Sequence, residues 1–238
     1  MPIILAIETS SELASCALLS GDTVLSRESG GVRTHSQSVL PMVQELLREA
    51  GVRLGDVDAI AFGAGPGSFT GVRTACGVAQ GLAFGAELPV LPLVTLEAMA
   101  EACRAASGAT EVLAVLDARM NEVYWAQYRF DGAWQTVIAP ALSSPETVAP
   151  EMVAGLAACG NGFAAYPDAF IGKDFAQQLD AAIVPHARDL ARIGAAAFAA
   201  GQAVPAAQAQ PLYLRNKVAY TSAERQAINA AKAEGTAP

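Results

Sequence analysis

Between residues 63 and 71 the chain sets four glycines and a proline into nine positions, Gly63-Ala64-Gly65-Pro66-Gly67-Ser68-Phe69-Thr70-Gly71. The segment follows a short apolar run, Asp58 to Phe62, and precedes Thr70 to Phe84, whose pattern is helical. A strand that passes into a helix through so tight a connection points to a layered α/β fold. Two uses fit the glycines. Successive backbone N–H groups at the positive end of a helix hold anions, which makes Gly65, Gly67, Ser68 and Thr70 phosphate candidates. Alternatively the glycines serve only a tight, positive-φ connection. Neither Gly-x-x-x-x-Gly-Lys-[Ser/Thr] nor Gly-x-Gly-x-x-Gly is satisfied, since no lysine follows and the glycine spacing differs.

The rest of the chain repeats an α/β plan. Ile3 to Ile7, Ser15 to Leu19 and Thr23 to Glu28 read as three strands joined by tight turns. Val39, Met42, Val43, Leu46, Leu47 and Ala50 recur at spacings of three and four before Gly51, which predicts an amphipathic helix, with Pro41 in its first turn and Ser38 as N-cap. Pro89 to Val94 is a strand and Thr95 to Ala106 a helix. A second unit opens with the strand Val112 to Leu116. Val123 to Phe130 and Ala133 to Ile138 flank the hairpin signal Asp131-Gly132. Pro145 to Met152 reads as a short helix, Gly160-Asn161-Gly162 as a turn, and Asp189 to Ala200 as an alanine-rich helix. Residues 1–106 and 107–222 therefore form two similar halves, the second smaller, and 223–238 a flexible tail.

Gly77, Gly81 and Gly85 fall four apart on the Thr70 to Phe84 helix. Each costs about 1 kcal/mol of helix stability relative to alanine, so the stripe needs a compensating close approach. Either the sheet of its own domain or another subunit supplies it.

Composition removes several function classes. With 15 Lys+Arg against 23 Asp+Glu the net charge is -8, which disfavours a phosphate-neutralising surface and repels nucleic acid at long range. Arg33, Arg73 and Arg119 are the candidates for a local positive spot. No apolar run approaches the roughly 18 residues of a membrane span, the longest being Ala195 to Ala200. Cys16, Cys76, Cys103 and Cys159 form no Cys-x-x-Cys pair, which suits reduced cytoplasmic thiols. The two histidines, His35 and His186, are far apart, so no His-x-x-x-His metal pair exists. His35 reads as a capping or hydrogen-bonding group. No Gly-x-Ser-x-Gly elbow occurs, and nucleophilic catalysis has no candidate.

Glu8-Thr9-Ser10-Ser11 and Asp117-Ala118-Arg119 end the first strands of the two halves. In actin-like ATPases and sugar kinases such turns face each other and grip phosphate and magnesium. A phosphate turn needs glycine beside its aspartate, and Ala118 and Arg119 bring side chains instead. Strand-end capping and salt bridging is the other reading of Glu8 and Asp117.

Taken in order, Ile4 to Ser10, His35-Ser36-Gln37, Gly63 to Arg73, Asp117 to Tyr124 and Pro211-Leu212-Tyr213-Leu214-Arg215 resemble the bacterial TsaB family, also called YeaZ, from residue 3 to about 219. The resemblance implies an actin/Hsp70/sugar-kinase-like duplicated α/β fold with a reduced second domain. It implies a cytoplasmic, non-catalytic subunit of the machinery that places threonylcarbamoyl on the adenosine beside the anticodon of tRNAs reading codons that begin with A. Catalysis falls to a sister subunit, TsaD, whose metal-binding histidines correspond here to Leu96 and Ala100, neither of which can coordinate. The family forms homodimers, or heterodimers with TsaD, through first-domain helices, which marks Val39, Met42, Val43, Leu46, Gly77, Gly81 and Gly85 as interface residues. The ATPase TsaE joins the pair, with ATP or ADP at the subunit junction, no cofactor required by this chain, and tRNA contacted only through the complex. The competing functions are an ATP-dependent small-molecule kinase of the same fold and, further off, a metallopeptidase.

Overall fold

The computed structural model describes residues 2–30 and 35–215. In chain order the elements are β1 (Ile4–Glu8), β2 (Leu13–Ser20), β3 (Thr23–Gly30), α1 (His35–Ala50), β4 (Ala59–Gly65), α2 (Phe69–Ala86), β5 (Val90–Val94) and α3 (Thr95–Ser107). They continue with β6 (Glu111–Arg119), β7 (Glu122–Phe130), β8 (Trp134–Ser143), β9 (Leu156–Cys159), α4 (Gly162–Ala165), β10 (Leu179–Asp180) and α5 (Ala187–Ala199).

The strands form two five-stranded sheets, β3-β2-β1-β4-β5 and β8-β7-β6-β9-β10. In each, an antiparallel meander is extended by parallel strands: β1 pairs antiparallel with β2 and parallel with β4, and β6 pairs antiparallel with β7 and parallel with β9. The second sheet thus repeats the order of the first, which is the duplicated actin-like plan.

β1 lies at the centre of its sheet, buried along its whole length, and this is why Ile4 to Ile7 is a continuous aliphatic run rather than an alternating one. Its side chains still alternate. Leu5 and Ile7 point into a core closed by α1 and α2, whereas Ile4 and Ala6 point into a core closed by α5. α5 follows the second sheet in the chain and covers the first. α3 packs on the second sheet, placing Leu96, Met99 and Ala100 against Val112 and Ala114. The other face of that sheet is covered by α4 and short 3-10 turns carrying Phe163, Phe170 and Phe175, not by full-length helices, so the second half is the slighter one. No helix among the described residues is long and apolar enough to cross a membrane.

Two local readings are corrected. α1 begins at His35, so Pro41 lies inside the helix and not in its first turn. Its missing N–H forgoes one helical bond, which the burial of Val39, Met42, Val43 and Leu46 outweighs. The segment from Pro145 to Met152 is a 3-10 turn at Pro145–Thr147 followed by irregular chain; Pro150 stops further winding. Arg33 and the tail 223–238 lie outside the described residues.

Candidate functional site

Two surfaces carry the residues singled out by sequence: a cleft between the halves, and the outer face of α2. The cleft, about 290 Å3 in volume, is lined by Ser10 and Glu12 from the turn after β1, Gly67 and Ser68 from the segment before α2, and Asp117 and Arg119 from the end of β6. The two strand-end turns therefore do meet, as the duplicated pattern requires.

Asp117 and Arg119 spend their hydrogen bonds internally, whereas Glu8 Oε2 and Ser10 Oγ are buried without a partner among the described residues. Glu8 is fully buried, burial pushes its carboxyl pKa upward, and its Oε1 accepts from the Ser10 N–H at 2.5 Å. The Asp117 N–H donates to Asn161 Oδ1 at 3.0 Å. Asp117 Oδ1 accepts from the Arg119 N–H at 2.8 Å and from the Tyr166 hydroxyl at 3.0 Å. Arg119 also ion-pairs with Glu12 across the cleft. Capping and salt bridging thus account for Asp117.

Arg119, Met120 and Asn121 all have φ near +59°, a left-handed turn that costs about 1–2 kcal/mol per non-glycine residue. Arg215 braces it, donating to the Arg119 carbonyl at 3.2 Å while pairing with Glu122. Nothing in the spacing of the sequence marks Arg215 or Glu12 for these roles. The turn geometry that gives them partners is set by the fold.

The glycine segment answers to packing. A Cβ on Gly67 would lie 2.6 Å from Ser10, and one on Gly71 1.8 Å from the Thr9 carbonyl oxygen. Gly65 has φ +111° and meets the Leu212 carbonyl. Ser68 caps α2, accepting from the Gly71 N–H at 3.4 Å, and the Ser68 N–H donates to the Ser10 carbonyl at 2.7 Å. Thr70 is exposed, its carbonyl accepting from the Thr74 hydroxyl. Of the N–H groups that sequence offered to a phosphate, those of Ser68 and Gly71 are thus engaged within the protein.

Of the arginine candidates, the two that are described, Arg73 and Arg119, have separate partners. The Arg73 guanidinium stacks 3.5 Å from the centre of the Phe69 ring and donates to the Tyr213 hydroxyl at 2.8 Å, while Arg119 is held by Glu12 and Asp117. His35 lies 3.2 Å through Nε2 from the Glu12 carbonyl, and His186 caps α5 by accepting from the Arg188 N–H. Leu96 and Ala100 are fully buried core residues of the second half.

The interface candidates divide. Val39, Met42, Val43 and Leu46 are at most 7% exposed and pack against β2 and β4 in their own core, which corrects their assignment to an interface: an amphipathic stripe this apolar was claimed by its own sheet. Gly77, Gly81 and Gly85 lie on the opposite side from the buried Ala75, Ala79 and Ala83, exposed, with nothing within 4 Å of the Cβ each lacks. Packing against their own sheet is therefore excluded. Phe84, 80% exposed, stands among them. Periodicity missed it because α2 is apolar nearly all round.

The family model "TsaD: tRNA N6-adenosine threonylcarbamoyltransferase" matches residues 15–234. A tRNA threonylcarbamoyladenosine biosynthesis protein TsaB from Escherichia coli is 44% identical over 224 residues, 91% of this chain and 96% of the relative. The Haemophilus influenzae protein of the same description is 40% identical over 227 residues, 91% of this chain and 95% of that one. Among solved structures, YeaZ from Pseudomonas aeruginosa superposes with a TM-score of 0.83 at 43% identity, covering 90% of this chain and all of the other.

Proposed function

Because the chain belongs to the TsaB family of tRNA threonylcarbamoyladenosine biosynthesis proteins, we propose that it serves that pathway as the non-catalytic, dimerising and activating subunit of the modifying complex. The complex acts in the cytoplasm on the adenosine beside the anticodon of tRNAs reading codons that begin with A. This chain docks on TsaD, and on a second copy of itself, through one helical surface, and the exchange of self-pairing for TsaD orders the TsaD active site. TsaE joins the pair. ATP or ADP belongs to the subunit junction, no cofactor is needed by this chain, and tRNA is reached through the partners.

The observation that carries the reading is the outer face of α2. Three exposed glycines four residues apart, with a largely exposed Phe84 beside them, lower helix stability and leave apolar surface in water unless another backbone covers them. The cleft supports the non-catalytic part, because Asp117, Arg119 and Glu12 are paired to one another and Leu96 and Ala100 offer no metal ligand. A kinase or metallopeptidase would need the reverse.

The test is reconstitution of tRNA modification from TsaD, TsaE, ATP and threonylcarbamoyl-adenylate, with and without this protein. Modification is expected only with it. Equal modification in its absence, or ATP- or peptide-consuming turnover by this chain alone that a cleft substitution abolishes, would remove the reading.

A further inference from the structure

Away from the cleft and from the outer face of α2, a groove of about 450 Å3 runs between α3, α5 and the β7–β8 hairpin. One wall is aromatic and acidic. Glu97 and Glu101 stand four residues apart on α3 and share a helix face. Trp134 spans the groove beside them, donating its indole N–H to Glu101 Oε2 at 2.9 Å and meeting Phe130 edge-on at 5.2 Å. The other wall, from α5, is Ile193, Ala196, Ala197 and Ala200, small enough to leave the space open.

The charges along this groove are unevenly paired. Arg104 stacks on Phe130, its guanidinium 3.7 Å from the ring centre, and Arg192 is tied to the buried Asp189 at 3.0 Å. Glu101 is fixed by the indole. Glu97 has no hydrogen bond or ion pair among the described residues, and burial, followed by the neighbouring Glu101 charge, pushes its carboxyl up to about 7. Tyr128, 1% exposed, lies near enough to feel the Glu97 charge, and its buried hydroxyl has no partner. The Glu97 carboxyl is thus left unmatched beside an aromatic wall, with the unpartnered Tyr128 hydroxyl buried behind it. Such a setting attracts a cation whose body is apolar, since ammonium groups pair with carboxylates and are drawn to indole faces.

We propose that this groove binds an aliphatic ammonium ion, its stem lying between Trp134 and the alanines of α5 and its charged head at Glu97 and Glu101. A free di- or polyamine and a lysine side chain of a protein share that chemistry.

The experiment follows the indole N–H signals of the full-length 15N-labelled protein, with Trp134→Phe assigning them. Trp125 is the internal control, because its indole N–H is engaged elsewhere, on Ser143 at 3.0 Å. The probes are 1,5-diaminopentane, spermidine, Nα-acetyl-lysine N-methylamide and, as a neutral control, pentanol. The Trp134 signal is expected to move saturably with amines and not with pentanol, while Trp125 stays in place. Response to the lysine amide identifies the side-chain source; response to the polyamines alone identifies the free source. Glu97→Gln should weaken binding by about tenfold, the equivalent of one lost charge pair. Binding by the unaltered protein should strengthen between about pH 6 and 8 as Glu97 ionises, with Glu101, Arg104, Tyr128 and Arg192 as the other charged or titratable groups facing it. A Trp134 signal unmoved by every amine, moved equally by pentanol, or equally responsive in Glu97→Gln overturns the proposal.

Discussion

Gly71, in the first turn of α2, presses against the carbonyl of Thr9, and the Thr9 hydroxyl in turn donates to the Gly71 carbonyl at 2.7 Å. The helix start and the turn after β1 are thereby locked together. A methyl group on Gly71 would fall 1.8 Å from that carbonyl oxygen, and neither backbone can yield without opening the sheet. Gly71→Ala is therefore expected to cost about 3 kcal/mol. Gly77→Ala, on the same helix with nothing within 4 Å, should stabilise the isolated protein by about 0.5–1 kcal/mol. Urea unfolding of the two variants gives opposite signs if the helix is seated as described, and equal signs if it is not.

Gly81→Leu separates docking from folding. The position is open, so a leucine is tolerated in the free chain and improves helix propensity by close to 1 kcal/mol. At a close-packed helical interface the same side chain blocks approach. Light scattering should show a folded variant, with raised thermal stability at dilute concentration, whose association with TsaD and with itself is lost. Undiminished association would place the interface elsewhere.

Leu46 behaves in the opposite manner. It is fully buried under the first sheet with Val39 and Val43, so Leu46→Ala should remove about 2–5 kcal/mol of stability. Among the molecules that remain folded, affinity for TsaD should be close to unchanged. Replacing the half-exposed Leu40 with serine should leave stability within about 0.5 kcal/mol, as surface changes usually do.

Particular residues show how far the sequence could be read. The run Ile4 to Ile7 and the glycine-rich connection announce a central buried strand and a strand-to-helix turn, because both patterns arise from local backbone geometry. The destination of each helix is not local. Asp189 to Ala200 shows an apolar stripe, yet nothing in its spacing says that α5 returns to cover Ile4 and Ala6 rather than the sheet it follows. For the same reason the stripe Val39, Met42, Val43 and Leu46 reads equally as core or as interface until its sheet is in place. The cleft lay half in view: Glu8 and Asp117 end equivalent strands, but Glu12 and Arg215 acquire their roles from contacts spanning about 90 to 110 residues of chain, which no periodicity encodes.

Glu97 gives the molecule a stability that depends on pH. Its carboxyl titrates near 4.5 in the unfolded chain and is pushed up to about 7 in the folded one, by burial first and by Glu101 second. The folded state therefore holds the proton more tightly, and stability falls wherever the unfolded state has released it and the folded state has not. The loss begins above about pH 4.5, grows through pH 6 and is complete above about pH 7, where Glu97 is ionised in both states. Glu97→Gln keeps the volume and removes the ionisation, so that variant should lack this component and gain on the unaltered protein as pH rises from 5 to 8. Glu101→Gln should act in the same direction by removing the neighbouring charge, at the cost of weakening the acceptor for the Trp134 indole. Urea midpoints across that range read the effect directly: parallel curves for the unaltered protein and Glu97→Gln would mean that the carboxyl titrates in the folded chain as it does in the unfolded one.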